Sequence, residues 1–302
     1  VRRIVRSILL GILVILLVVG AWAGWTYRRQ ISRYATRWKG APSSTEPYVA
    51  FDPPPALHLA VAGDIGDSGS RLDATAAAMD RLEDDDPYDA LLLLGDNVYP
   101  AGDPERLSDT VFEPFEGVLD GGTELWAILG NHDVKEGNGP RQMAELGMPG
   151  RWWSTTIGDV FVLGLDSNLV DDPEQLAFAE RELAAADERW KIALIHHPPY
   201  SAGYQGSDEQ VREIWSPIFE RYGVQLVLSG HDHDYQRNVP VDGVTYVVTG
   251  GAAGTRRTGA EDFTEVSFSW HHFVDLAVFD DRLVLRAVNQ DRRVADEVTI
   301  AP

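Results

Sequence analysis

Cysteine is missing from all 302 residues of this chain. That excludes disulfide staples and thiolate metal sites, so any metal held here must be gripped by His, Asp, Glu, Asn or Tyr. Acid is missing from the first 39 residues, where every charged side chain is basic: Arg2, Arg3, Arg6, Arg28, Arg29, Arg33, Arg37 and Lys39. Base is correspondingly scarce in the remainder of the chain. Taking those eight from the 26 basic residues leaves 18 against 47 acids, a balance of −29. Such a body has no general electrostatic footprint for nucleic acid. It also repels anionic small molecules at long range unless a local feature reverses the field.

What the front end does have is an uncharged run, Ser7 to Tyr27, rich in Ile, Leu and Val and without a polar face. A bilayer needs about 20 such residues, so one N-terminal transmembrane helix is expected. Ala21-Trp22-Ala23 fits a small-x-small signal-peptidase pattern. Trp25 and Tyr27 continue the apolar character and suit an interfacial belt. Residues 1–39 therefore read as a membrane anchor or a cleaved signal peptide with basic flanks. Three Arg precede the run and five basic residues come after it, a bias that by count keeps the body cytoplasmic. Long domains translocate largely regardless of that bias, and the body is expected outside the cytoplasm, anchored, or secreted if cleavage occurs. Residues 40–55, "GAPSSTEPYVAFDPPP", read as a Pro/Ser-rich tether, and residues 56–302 as one domain.

Within that domain short apolar runs alternate with amphipathic stretches. "LHLAVAG", "DALLLLG", "LWAILG", "KIALIHH" and "VQLVLSG" predict buried strands. "RLDATAAAMDRLEDD", "PEQLAFAERELAAADERW" and "SDEQVREIWSPIFERYG" predict helices, with Pro173 near the start of the second and Gly223 just past the third. The end of the chain changes character. "TYVVTGG", "HFVDLAVF", "RLVLRAV" and "DEVTI" predict strands with no helix between them, and Asp280-Asp281 a hairpin turn. Alternation succeeded by consecutive strands indicates an α/β fold of two packed sheets flanked by helices.

The informative pattern lies at the far end of each buried strand. Asp64 comes after "LAVAG"; Asp96 and Tyr99 after "LLLLG"; Asn131 and His132 after "WAILG". His196 and His197 come after "KIALI", and His231 and His233 after "LVLSG". Ligand sites of α/β sheets assemble at strand carboxyl ends. A Gly-Asp or Gly-Asn alone is an ordinary turn, and Tyr99 alone ordinary packing. Five strand ends in succession, each carrying oxygen or nitrogen donors, predict convergence on hard or borderline cations such as Fe, Mn or Zn. His58, His271 and His272 fall within or next to strands outside the pattern and read as structural. Asp67 and Asp166, also just past strands, stay outside the site.

These segments, "GDIG", "GDNVY", "GNHD", "IHHP" and "GHDH", resemble the calcineurin-like metallophosphoesterases over roughly Leu57 to Val288. "GDNVY", "GHDHDYQR" and "RWWSTTIGDVFVLGLDS" are similar to the purple, tartrate-resistant-type acid phosphatase branch. One departure is plain: the usual Asp-x-His opening is Asp64-Ile65-Gly66, without the histidine. The resemblance implies a four-layer αββα sandwich of two mixed β-sheets and a dinuclear site. One metal, Fe(III), would be held by Asp64, Tyr99 and His233, and the other, Fe(II), Zn or Mn, by Asn131, His196 and His231. Asp96 would bridge them. His196 rather than His197 is chosen because Pro198 completes the His-x-Pro pattern; His197 is open to supporting a ligand, to substrate contact or to simple packing.

The function this implies is that of a phosphoric ester hydrolase, a phosphomonoesterase using a metal-activated hydroxide. His132 would touch the phosphoryl group or protonate the leaving oxygen, and Asp133 would orient His132. A phosphodiesterase or nucleotidase of the same superfamily is the alternative, weakened by the missing histidine. A membrane-tethered phosphate-binding protein without turnover is a further alternative, but the full donor set opposes it. The loops Pro198–Asp208 and Gly250–Arg257 are expected at the mouth, where Arg256 or Arg257 would meet a phosphate. Oligomeric state is not legible.

Overall fold

A computed structural model describes residues 45–83 and 87–302. The expected membrane segment Ser7–Tyr27, its basic flanks and the first part of the tether lie outside the described residues. Among those described, no helix is long and apolar enough to cross a membrane.

In chain order the strands are β1 (Glu46–Pro47), β2 (Leu57–Ala62), β3 (Ala90–Leu93), β4 (Glu124–Ala127), β5 (Trp153–Ile157), β6 (Val160–Gly164) and β7 (Trp190–Ile195). They continue as β8 (Leu226–Ser229), β9 (Tyr235–Asn238), β10 (Thr245–Thr249), β11 (Thr264–Phe268), β12 (His272–Val278), β13 (Leu283–Asn289) and β14 (Arg293–Ile300). The α-helices are α1 (Ser70–Glu83), α2 (Glu116–Asp120), α3 (Gly139–Glu145), α4 (Pro173–Ala185) and α5 (Glu209–Arg221). One sheet runs β1-β14-β13-β12-β2-β3-β4, the other β11-β9-β10-β8-β7-β6-β5. Both are mixed. β2, β3 and β4 pair parallel, as do β6, β7, β8 and β10, while the outer strands of each sheet are largely antiparallel.

The apolar runs are continuous because the central strands are covered on both faces. Along β2, Leu59 and Val61 enter the core between the sheets, with Leu92, Leu194 and Leu228. Ala60 and Ala62 face outward beneath Leu72, Ala76 and Met79 of α1. In the second sheet Ile192 and Leu194 point inward. Ala193 and Ile195 pack against Leu183 of α4 and Trp215 and Phe219 of α5. Helix, sheet, sheet and helix thus form the layers. Helix boundaries obey local chemistry. Asp172 accepts from Glu174 N and Gln175 N ahead of Pro173, and Asp208 accepts from Val211 N. Gly223, at φ 67°, takes the left-handed turn past α5. The β12–β13 hairpin turns through Asp280-Asp281, closed by Phe279 N donating to Arg282 O at 2.9 Å.

The tether differs from its expected form. From Thr45 onward it lies on the domain: β1 pairs antiparallel with β14, and Tyr48 N donates to Arg292 O at 3.0 Å. Arg286 donates to Val49 O and sits 3.8 Å from the centroid of the Phe51 ring. Composition does not reveal this attachment because backbone groups and arginines of distant strands make it.

Candidate metal centre

Each motif begins where a parallel strand runs out. Asp64 lies past β2, Asp96 past β3, Asn131 past β4, His196 past β7 and His231 past β8. Parallel pairing brings these ends to one edge of each sheet, and two hydrogen bonds join the sheets there. His231 N donates to Asp64 Oδ2 at 2.7 Å, and His196 Nδ1 lies 2.8 Å from Leu94 O. The second bond puts a proton on Nδ1, since a carbonyl only accepts, so that in the neutral ring Nε2 is the nitrogen open to a ligand. Asp64, Asp96 and His231 all have positive φ, 57°, 51° and 68°. A non-glycine residue in this region costs about 1–2 kcal/mol. Three such residues around one point mark a built site rather than three casual turns.

Two donor groups meet across Asp96. In the first, Tyr99 Oη lies 3.0 Å from Asp64 Oδ1 and 3.0 Å from His233 Nε2, and His233 Nε2 is 3.3 Å from Asp64 Oδ1. In the second, His196 Nε2 is 3.2 Å from Asn131 Oδ1 and 3.4 Å from Asp96 Oδ1, with the His231 ring centroid 5.1 Å from that of His196. The structure therefore brings together all seven expected ligands. It also explains the missing histidine. A Cβ on Gly66 would stand 2.6 Å from Tyr99 N and 2.8 Å from Asp96 O. Gly66 N donates to Asp96 O and Tyr99 N to Gly66 O, so the backbone at 66 is zipped to the turn that delivers the phenol. No side chain fits at 66, and Tyr99 occupies the vertex instead.

The electrostatics fit cations. Asp64, Asp96 and Asp133 are all buried, and among the described residues the ion-pair partners of Asp64 and Asp96 are histidines. Buried carboxylates without a cation are costly. Burial opposes ionisation of Asp64, but the hydrogen bond to His233 and the charges of the neighbouring histidines hold its carboxyl below the usual range. Burial also opposes charging His196; Asp96 and Asp64 overcome it and push the imidazole up. Burial, then the charge of His196, pushes His231 down to about 2 and His197 to about 3, leaving both rings neutral. Burial with Asp64 and Asp96 alongside pushes the Tyr99 phenol far above its ordinary value. A phenolate at that vertex therefore requires a cation in contact with it. The donor set, oxygen and nitrogen without sulfur, suits one.

Around this core the structure departs from several expectations. His132 stands at the mouth, Nε2 4.0 Å from Asp96 Oδ2 and Nδ1 2.6 Å from Pro100 O, its ring edge-on to Tyr99. Asp133 does not touch it. Asp133 points inward and accepts from Asn97 N, Val98 N and Gly130 N and from the amides of Asn97 and Gln142. It clamps the Asp96 turn to the Asn131 turn. Burial, with the charge of Asp96 adding, pushes its carboxyl up to about 7 against those N–H bonds. Lys135, which no sequence motif marks, places Nζ 2.9 Å from His132 Nδ1 and 3.2 Å from Nε2. Asp232, between His231 and His233, accepts from Ser201 Oγ, Gln205 N and Gly206 N and so fixes the Pro198–Asp208 loop. Arg256 is exposed, its backbone N on His233 O at 2.7 Å and its guanidinium over the Tyr204 ring. Asp166 is bound to Arg151, and His58 to Asp275, away from the donors.

Residues 57–235 match the calcineurin-like phosphoesterase family, and the chain belongs to that family, a hydrolase domain. Tartrate-resistant acid phosphatase type 5 of Homo sapiens is 28% identical over 246 residues, 68% of this chain and 75% of that protein. Purple acid phosphatase 17 of Arabidopsis thaliana is 24% identical over 231 residues, 65% of this chain and 68% of that one. An uncharacterized protein of Mycobacterium tuberculosis is 30% identical over 146 residues, 38% of this chain. That match spans only 28% of the mycobacterial protein. Among solved structures, purple acid phosphatase PPD1 from yellow lupin has the same fold, with a TM-score of 0.73 at 20% identity, over 81% of this chain and 53% of that one.

Proposed function

We propose that this chain is a dinuclear-metal phosphoric ester hydrolase acting on phosphomonoesters. The observation that carries the reading is the convergence of Asp64, Tyr99, His233, Asn131, His196 and His231 as two donor groups on either side of Asp96. One cation, Fe(III), would be held by Asp64, Tyr99 and His233, the other, Fe(II), Zn or Mn, by Asn131, His196 and His231, with Asp96 shared between them. Bound there, the pair would neutralise phosphoryl charge and acidify water enough to supply hydroxide near neutral pH.

The chain's own residues do the rest. Asp96 is held for its role by His132 N, which donates to Oδ1 at 2.8 Å. The His132 ring is held by its Nδ1–H on Pro100 O, and in its imidazolium form, where both nitrogens carry protons, Nε2–H would donate to the phosphoryl or leaving oxygen. Lys135 beside it adds positive charge at the mouth of a body whose overall charge repels phosphate. Rigid placement of these groups, rather than covalent chemistry, is what phosphoryl transfer asks of a protein. We also propose that Ser7–Tyr27 anchors the domain at a membrane with the site outside the cytoplasm.

The test is metal analysis of the pure protein with assays on an aryl phosphate monoester and its bis-aryl diester. Two metals per chain and preference for the monoester are expected. Asp96→Asn should remove both metals and activity, whereas His132→Ala should cut turnover while both metals stay. Normal turnover and full metal occupancy in Asp96→Asn refute the bridging role, and preference for the diester refutes the monoesterase assignment.

A further inference from the structure

The sequence alone leaves His197 between packing and substrate contact, and its surroundings decide. The ring is half-buried, and its centroid stands 4.4 Å from that of His231 and 5.0 Å from that of His196. A ring nitrogen from each of the three lies within 4.8 Å of the others. By distance alone His197 qualifies as one more ligand of the second metal.

Ser167 argues otherwise. Its hydroxyl is buried just past β6 and makes two contacts with the same residue: Oγ accepts the His197 backbone N–H at 2.9 Å and lies 2.7 Å from His197 Nδ1. A hydroxyl can accept twice and give once; with the His197 backbone N–H already accepted, giving its proton to Nδ1 is the arrangement that uses that proton, and the ring's measured tautomer decides it. An Nδ1 that accepts has no proton, so the neutral ring carries its proton on Nε2. A protonated Nε2 cannot bind a metal, because its lone pair is in the N–H bond. The ring that carries it stands beside the His196 and His231 imidazoles. His196 is set the opposite way, with its Nδ1 proton on Leu94 O and Nε2 bare. Two adjacent histidines, oriented by two different partners, thus present a ligand and a donor to one site.

We propose that His197 is a substrate-binding residue whose Nε2–H, fixed by Ser167, donates a hydrogen bond to a phosphoryl oxygen held at the second metal. Ser167 is its positioning residue. This rests on the phosphoesterase function proposed for the chain, yet its measurements do not require turnover. In the zinc-loaded full-length protein, nitrogen-15 chemical shifts of the imidazoles should show His197 as the Nε2–H tautomer, and Ser167→Ala should erase that preference. Inorganic phosphate binding by calorimetry should weaken about tenfold to a hundredfold in His197→Ala, the range for losing one hydrogen bond to a charged group. Two zinc ions per chain should remain. His197→Gln, which keeps an N–H donor, should recover most of the affinity. Loss of one zinc in His197→Ala, an Nδ1–H tautomer, or unchanged phosphate affinity each overturns the proposal. A wild-type protein that binds phosphate but hydrolyses no ester would defeat the hydrolase function and leave this assignment standing.

Discussion

Replacing Asp133 by Asn alters a single heavy atom and removes none of the proposed ligands, and should nonetheless damage both fold and site. Oδ1 accepts from Asn97 N at 2.9 Å, Val98 N at 3.2 Å and Gln142 Nε2 at 2.9 Å. Oδ2 accepts from Gly130 N at 2.8 Å and from Asn97 N and Nδ2 at 3.1 Å. An amide converts one of these oxygens into a donor. If the NH2 takes the Oδ2 place, Gly130 N loses its acceptor and Asn97 Nδ2 keeps only Ile128 O. If it takes the Oδ1 place, Val98 N loses its acceptor and Gln142 Nε2 keeps only Gly102 O. Either way one buried backbone N–H faces another N–H and a side-chain amide is partly stripped. At about 1–3 kcal/mol for each stranded donor the loss is roughly 2–6 kcal/mol, a large share of a typical stability of about 5–15 kcal/mol. Part of the strain relaxes by letting the Asp96 and Asn131 turns drift apart, so metal affinity should fall with it. Urea unfolding of the metal-free protein and zinc titration of the folded protein measure the two effects separately. A variant within about 0.5 kcal/mol of wild type, the range of ordinary surface substitutions, with unchanged zinc affinity, refutes the clamp.

The same geometry yields two further outcomes. Tyr99→Phe removes the phenol beside Asp64 and His233; an iron-loaded protein should be coloured by its tyrosinate and the variant bleached, and a coloured variant would remove Tyr99 from the metal. His272 is buried with Nδ1 on Trp270 O and Nε2 on Thr249, and burial pushes its imidazole down to about 4 from an ordinary 6.5. The unfolded chain therefore takes up this proton at higher pH than the folded one. The contribution is whole above pH 6.5 and is lost as pH falls through the folded value, by roughly 3 kcal/mol. His272→Gln should flatten the acid limb of stability between those values, and parallel limbs would show that His272 does not titrate in the fold.

The proposed metal donors are more legible in the sequence than their supports, for a physical reason. A strand covered on both faces reads as an unbroken apolar run, and its carboxyl end is marked by the first polar residue, so Asp64, Asp96 and His196 announce themselves. β5 and β6 show only as one family-like segment, "RWWSTTIGDVFVLGLDS", although Gly158-Asp159 inside it is a hairpin signal. By contrast β9, "YQRN", and β11, "TEVSF", are short, partly polar and paired at the sheet edge, and they carry no pattern of their own. Asp133 misleads because adjacency in sequence suggests that it serves His132. In the turn after β4 the two side chains diverge, one to the mouth and one inward. Ser167 sets the role of His197 across 30 positions, and no spacing rule reaches that far.

The proposed ligands themselves carry a cost that bears on why the supports are so numerous. Asp64, Asp96 and His231 hold left-handed backbone conformations without being glycine, at about 1–2 kcal/mol each, and two of them bury carboxylates. None of this favours folding in the absence of cations. The compensation comes from the neighbours: Asp133 ties the Asp96 turn to Gly130, Asp64 Oδ2 takes His231 N across the sheets, and Leu94 O fixes His196. Glycines stand where the packing leaves no room for a Cβ, Gly66 against the Tyr99 backbone and Gly250 against the Asp232 backbone and the Asp64 carboxylate. The bonds of Asp133 to Asn97 and Gly130, of Asp64 to His231 and of Leu94 to His196 join the ends of different strands, so the edge is held as one unit. The same bracing ties catalytic geometry to fold stability, and a substitution in a support should disturb both together.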